Sequence, residues 1–159
     1  MTAPADWSME RLRGDDGAGP LVIERLGGDN GGDLLDAETT PENFYGVLLG
    51  RAPEVVLFVD AADLGAPPGT CALAPVEDLA ARAESTHAPS LRLLGRLLAP
   101  RRIECWLLGI QPASTAPGGP VHPVVAAAID RAAAAIAALL PRTVPHAPPD
   151  EASHEVIHD

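Results

Sequence analysis

The chain has 159 residues, a length that gives one domain a substantial core and leaves no room for a second domain. Its formal net charge is −11, and no patch rich in arginine or lysine interrupts the acidic excess. Nucleic acid and anionic membranes are therefore disfavoured as partners, whereas a cationic or metal-bearing partner fits the charge. Only 3% of the residues are aromatic, so Leu, Val, Ile and Ala must build the core.

The cysteine content and the absence of targeting signals indicate the cellular compartment of the protein. Cys71 and Cys105 form no CxxC motif and support neither a disulfide framework nor a zinc knuckle. We expect both to be buried free thiols in a reducing cytoplasm. No basic segment followed by an apolar one opens the chain, and no apolar stretch approaches about 18 residues. The sequence therefore predicts a cytoplasmic protein without a membrane span.

The first elements surround a pair of aspartates. Residues 1–13 have no sustained period and are predicted to be an irregular N-terminus. The segment Gly14–Pro20 predicts a glycine-rich loop that opens a short helix ending near Leu26. Asp15 and Asp16 lie where the positive end of the helix dipole favours carboxylates, so capping of this helix is one interpretation of the pair.

The next segments predict a strand, a helix and a second strand. Asp33–Asp36 reads as a brief strand that ends in the carboxylate of Asp36, and a helix follows over 41–49. The apolar run Val55–Val59 is typical of a strand covered on both faces, and it ends at Asp60. Because ligands bind at the carboxyl ends of parallel strands, Asp60 is a candidate functional residue; a simple turn is the alternative.

The second half of the chain continues the alternation of strands and helices. His87 lies on a loop at the entrance of a helix whose leucines recur on one face. The remaining predictions are a short strand at 70–73 that pairs beside the preceding strand, a helix over 76–83, a helix over 91–98, a strand at 103–110, an alanine-rich helix over 121–140 and a mobile tail at 141–159. This alternation predicts an α/β sandwich with one domain over 14–140.

Three polar residues stand at loop positions that follow strands or precede helices: Asp16, Asp60 and His87. Two carboxylates and one imidazole suit a borderline divalent transition metal. The spacing along the chain does not by itself bring the three together.

Several motifs occur in an order that resembles a known family. They are Gly14-Asp15-Asp16-Gly17-Ala18-Gly19-Pro20, Pro41-Glu42-Asn43, Val59-Asp60-Ala61, Thr86-His87 and Leu108-Gly109-Ile110-Gln111-Pro112. Together they resemble the maturation proteases of nickel-iron hydrogenases, and most of all the subgroup that processes the hydrogenase-3, or formate hydrogenlyase, large subunit. The resemblance extends from about Leu12 to Leu140.

The resemblance implies a three-layer α/β fold with a mostly parallel sheet and a cleft where Asp16, Asp60 and His87 contact a metal and act as the catalytic residues. It implies an endopeptidase that removes a C-terminal extension from the hydrogenase large-subunit precursor after nickel insertion, with nickel carried by the precursor. Asp15 and Asp36 are then candidates for supporting positions around the metal-contacting residues. We expect a monomer.

One part of the family pattern is missing. The family has an apolar first strand before the Gly-Asp-Asp-Gly segment, but here Pro4–Arg11 contains Asp6, Ser8 and Glu10, which do not suit a sheet interior. We therefore expect a gap beside Val55–Val59 and reduced stability. The missing strand also motivates an alternative function, a non-catalytic checkpoint module that senses the metal of the precursor; nickel delivery is a weaker third possibility, because a set without cysteine disfavours tight binding.

Overall fold

The computed structural model describes residues 14–27, 34–35, 40–79, 87–116 and 118–140. The predictions for 1–13, for Asp36 and for the tail at 141–159 lie outside these residues. So do residues 80–83, the second half of the helix predicted over 76–83, while Val76–Asp78 in its first half form a 3-10 turn. Leu34 and Leu35, the described part of the brief strand predicted at 33–36, have no regular secondary structure.

The described elements are helices interspersed with strands, in the chain order that the sequence predicts. A 3-10 turn at Gly14–Gly17 continues into helix α1, Ala18–Leu26, and a second one at Pro41–Phe44 continues into α2, Tyr45–Arg51. The elements that follow are strand β1, Val55–Ala61; strand β2, Cys71–Pro75; a 3-10 turn, Val76–Asp78; helix α3, Ala88–Leu98; a 3-10 turn, Ala99–Arg101; strand β3, Glu104–Ile110; and helix α4, Pro123–Leu139.

The sheet has the order β1-β3-β2, with β3 in the middle. β1 is parallel to β3, and Asp60 is aligned with Gly109. β2 is antiparallel to β3, so the described sheet is mixed and not the mostly parallel one that the resemblance implies. The prediction that β2 pairs beside β1 is wrong, because hydrogen bonds of Gly69 and Thr70 with the backbone of Gln111 start a ladder along β3 instead.

Helices cover both faces of this sheet, which confirms the α/β fold class. Alternate residues of a strand point to opposite faces, so each face has its own core. On one face Ala61 and Ile110 pack with α1 and α4; on the other, Cys105 and Leu107 pack with α2 and α3. In the described part of the chain, no helix is both long and apolar enough to span a bilayer.

The face of β1 that meets α1 and α4 is covered along only part of its length. Val59 and Ala61, near its carboxyl end, pack against the core of α1 and α4. Val55 and Leu57, on the same face nearer its start, are 54% and 38% exposed. The prediction that both faces of the whole strand are covered is therefore wrong for its first half. The covered half is the one that ends at Asp60.

Candidate active site

The 3-10 turn that carries Asp16 lies close to the carboxyl end of β1 because Gly19 has no side chain. A Cβ atom at Gly19 would lie 2.3 Å from the carbonyl oxygen of Val59 and 3.9 Å from the Cα of Asp60. Helix and strand therefore touch backbone to backbone. Asp16 is three residues before Gly19, about one helical turn, and its side chain is exposed. The motif glycine thus brings the turn of Asp16 next to the strand end of Asp60.

Asp60 and His87 are in direct contact. The Nδ1 atom of His87 lies 3.0 Å from Oδ2 of Asp60, although 27 residues separate them in the chain. His87 occupies the N-cap position of α3, as predicted for a loop at a helix entrance, and its carbonyl accepts the N–H of Leu91. Its side chain makes no capping bond to the helix, so the imidazole is directed to the carboxylate instead.

The pair is accessible but not fully solvated. The side chain of His87 is 28% exposed and that of Asp60 is 14% exposed. A carboxylate that holds one ring nitrogen fixes the orientation of an imidazole, an arrangement common around metal-binding histidines. With Nδ1 engaged in this way, a metal would bind the ring through Nε2, or would replace the hydrogen bond and bind both side chains.

Asp15 does not cap its own helix, contrary to one interpretation of the sequence. The N-cap residue of α1 is Gly17, which has no side chain to cap the helix, and the hydrogen bonds of Asp15 go elsewhere. The carboxylate of Asp15 is 4% exposed and accepts three backbone N–H groups, those of Ala113 at 2.7 Å, Ser114 at 3.1 Å and His122 at 2.8 Å. Asp15 therefore connects the turn at Gly14–Gly17 to the segment between β3 and α4.

Gln111 has a comparable role that the sequence did not predict. It is 9% exposed at the end of β3, and its Oε1 accepts the N–H of Leu64 at 2.6 Å and that of Ala66 at 3.4 Å. These bonds hold the loop that follows Asp60. The available signal was a polar residue directly after the apolar run of β3, within the motif that ends at Pro112.

The two thiols do not suit a nucleophile. Burial, with a contribution from Glu77, raises the pKa of Cys105 to about 11. Partial burial also raises the pKa of Cys71, although Arg131 opposes the rise. Both groups are therefore thiols at neutral pH, whereas the thiolate is the reactive form. Cys105 is buried as predicted, but Cys71 is exposed, which corrects the prediction for that residue.

The structure thus joins two of the three predicted residues directly and places the third on the adjacent turn. Among the residues described, no three His, Cys, Asp or Glu side chains form a ready metal cluster. Asp36 lies outside the described residues. A groove of about 430 Å³ is lined by Glu104, Cys105 and Trp106 at the start of β3, the end of the sheet opposite to Asp60, so it is separate from this site.

Comparison with known proteins shows which protein family the chain belongs to. The sequence profile of the hydrogenase maturation proteases, described as HycI, matches residues 22–139, most of the chain. The chain belongs to the hydrogenase maturation protease family. A relative among characterised proteins, the hydrogenase 3 maturation protease of Escherichia coli K12, is 35% identical over 104 residues, 64% of this chain and 67% of that protein.

Solved structures of maturation proteases share the fold. The crystal structure of HycI from Thermococcus kodakarensis has a TM-score of 0.70 and 31% identity, covering 82% of this chain and 86% of that one. The solution structure of the endopeptidase HycI from Escherichia coli has a TM-score of 0.68 and 26% identity, covering 81% and 85%. The predicted resemblance to maturation proteases of the hydrogenase-3 type is confirmed, and the chain is a hydrogenase maturation endopeptidase.

Proposed function

We propose that this maturation protease removes the C-terminal extension of a hydrogenase large-subunit precursor that already holds nickel, and that Asp16, Asp60 and His87 contact that nickel. The observation that carries the proposal is the hydrogen bond between Asp60 and His87 at the carboxyl end of β1. Gly19 places the turn of Asp16 against the same strand end.

In this proposal nickel belongs to the substrate. Two carboxylates and an imidazole form a mixed oxygen and nitrogen set that a borderline divalent ion accepts. The acidic charge of the chain favours approach of a metal-bearing surface. The proposal needs no metal cluster preassembled in the free protease, because nickel in the precursor would draw the exposed side chain of Asp16 towards the Asp60–His87 pair.

Recognition of the metal explains why cleavage follows nickel insertion. A precursor without nickel gives the three side chains nothing to bind, so its cleavage site is not held in the cleft. A loaded precursor is anchored, and fixing the reacting groups in place is worth about 7–11 kcal/mol of barrier in favourable cases. Hydrolysis then adds one water across the peptide bond, leaving a new carboxylate on the large subunit and an amino group on the released peptide.

The proton transfers of this hydrolysis fall to oxygen and nitrogen groups. Both cysteines hold their protons at neutral pH, so neither supplies a covalent nucleophile. The Asp60–His87 pair holds a carboxylate and an imidazole side by side, the two groups that most often accept a proton from water in hydrolases. We also propose that the protease acts as a monomer in the cytoplasm.

The test is cleavage of purified nickel-loaded precursor by the wild-type chain and by Asp60→Ala and His87→Ala variants. The wild type should shorten the large subunit by its C-terminal extension, seen by mass spectrometry, and both variants should lose at least 100-fold in rate. Asp78→Ala is the matched control: Asp78 is an exposed carboxylate in the 3-10 turn Val76–Asp78, and its replacement should leave cleavage intact. Full cleavage by Asp60→Ala would refute the assigned site.

The same assay separates the checkpoint alternative from the protease. A wild-type chain that captures the loaded precursor in a pull-down but never releases the peptide would be a binding module, not an endopeptidase. Nickel-free precursor should be neither captured nor cut. Cleavage of the nickel-free form would show that the metal is not what the three side chains recognise.

A further inference from the structure

A carboxylate held by three amides links two segments that adjoin the proposed site. Asp15 belongs to the turn Gly14–Gly17, and its bonding partners lie 98, 99 and 107 residues further along the chain. Oδ2 accepts the N–H groups of Ala113 and Ser114, just after β3, and Oδ1 accepts that of His122, just before α4. One side chain therefore closes the segment 113–122 at both ends.

A second contact fixes the same two segments. Gly14 has a φ of +56°, and a Cβ atom there would lie 2.9 Å from the carbonyl oxygen of Gly118. Gly118, near the middle of the segment, thus lies against the backbone of the turn, while the two ends of the segment donate hydrogen bonds to Asp15. Backbone contact at the middle and hydrogen bonds at the ends leave the turn little freedom to rotate.

We propose that Asp15 is a positioning residue, whose carboxylate locks the turn Gly14–Gly17 to the segment 113–122 and thereby holds Asp16 beside the Asp60–His87 pair. Asp15 and Asp16 are adjacent in the chain, and one is buried while the other is exposed. Anchoring Asp15 therefore fixes the position from which the side chain of Asp16 extends. The part concerning cleavage rests on the proposed function, whereas the locking of the two segments does not.

This role gives the two aspartates of the motif different tasks. The exposed Asp16 would contact nickel, and the buried Asp15 would contact no substrate at all. A carboxylate accepts hydrogen bonds at both oxygens, whereas an asparagine side chain offers one oxygen and an amide that repels a facing N–H. Asp15→Asn therefore keeps the size of the side chain and removes one end of the lock.

The first test is amide hydrogen exchange in the free protein, which needs no substrate. Asp15→Asn should raise exchange at residues 113, 114 and 122 and in the turn 14–17 by at least 10-fold, and should leave α3 unchanged. Asp78→Asn, which changes an exposed carboxylate, is the matched control and should alter none of these sites. Unchanged exchange in Asp15→Asn would overturn the lock.

His122 allows the lock to be opened without touching Asp15. Its φ of −63° is compatible with proline, so His122→Pro removes the N–H that Asp15 accepts. It also removes the ring nitrogen that caps Val124, a loss that His122→Ala shares and therefore controls for. The proline variant should raise exchange at 113 and 114 above the level of the alanine variant. This comparison decides the matter even if Asp15→Asn does not fold.

The second test is the kinetics of cleavage of nickel-loaded precursor. Asp15→Asn should lower kcat about 10- to 100-fold, because displacement of a metal-contacting group by about 1 Å costs this much, while KM changes less than 3-fold. Faster exchange with an unchanged kcat would overturn the positioning role. A wild-type chain that does not cleave would refute the proposed function alone, since the exchange experiment still decides the lock.

Discussion

Replacement of Gly19 by alanine tests the contact on which the geometry of the site depends. The added methyl group would lie 2.3 Å from the carbonyl oxygen of Val59, whereas an ordinary carbon to oxygen contact is about 3.3 Å. The obstacle is backbone, which cannot rotate away. Helix α1 must therefore move by roughly 1 Å from β1, and the turn that carries Asp16 moves with it.

Two opposing terms set the size of the effect. Alanine is favoured over glycine inside a helix by about 0.8–1 kcal/mol. Forcing extra volume into a packed contact costs about 1–3 kcal/mol and more when backbone must shift. We expect Gly19→Ala to lose about 2 kcal/mol of unfolding free energy, which for a domain of this size lowers Tm by roughly 6–8 °C.

Gly46 provides the matched control. It lies in helix α2, and a Cβ atom there would meet nothing within 4 Å. Gly46→Ala should therefore gain up to about 1 kcal/mol from helix propensity alone. The two glycine-to-alanine variants should therefore change the unfolding free energy in opposite directions, as urea and thermal unfolding followed by circular dichroism would measure. That result would establish that packing against β1 causes the loss in Gly19→Ala.

Cleavage gives the functional half of this test. Misplacement of Asp16 by about 1 Å should lower the rate on loaded precursor about 100-fold even where Gly19→Ala is fully folded. A Gly19→Ala protein with wild-type Tm and wild-type cleavage would refute the reasoning, because α1 could not then lie against Val59 as described.

Two further predictions concern the core and the thiols. Leu94 is 0% exposed and Leu93 is 51% exposed on the same helix, so Leu94→Ala should lose about 3 kcal/mol in urea unfolding and Leu93→Ala less than about 0.5 kcal/mol. Equal losses would contradict the packing of α3. At pH 8 an alkylating reagent should modify Cys71 in the native protein and spare Cys105, whose pKa is raised to about 11, as peptide mapping would show. Because the raised pKa means that the folded protein keeps a proton which the unfolded chain loses, Cys105 lowers stability as pH rises from about 9 to 11, and Cys105→Ser should weaken that loss. Modification of Cys105 before Cys71 would contradict its burial.

Local patterns in the sequence were sufficient for the order and type of most elements. The apolar runs ending at Asp60 and at Gln111 predict β1 and β3, and the leucine spacing before residue 98 predicts α3, because burial of one face imposes a period along the chain. The motif order was sufficient for the family. Asp60 and His87 were correctly placed at a strand end and a helix entrance.

Strand pairing and the contacts of polar side chains depended on the tertiary structure. β2 has the composition of a strand that could pair with either neighbour, and the hydrogen bonds around Gln111 settle its place beside β3. The exposure of Val55 and Leu57 depends on how far α1 and α4 extend over the sheet. The hydrophobic periodicity of the sequence contains no information about that extent.

The aspartate pair shows the difference most clearly. The sequence by itself determined that two carboxylates follow Gly14 and precede a helix, where capping and metal binding were both reasonable interpretations. Only the fold decided that Asp15 is buried and bonded to amides about a hundred residues away while Asp16 is exposed beside β1. The physical reason is that a carboxylate's role is set by the groups that surround it, and folding brings those groups from distant parts of the chain.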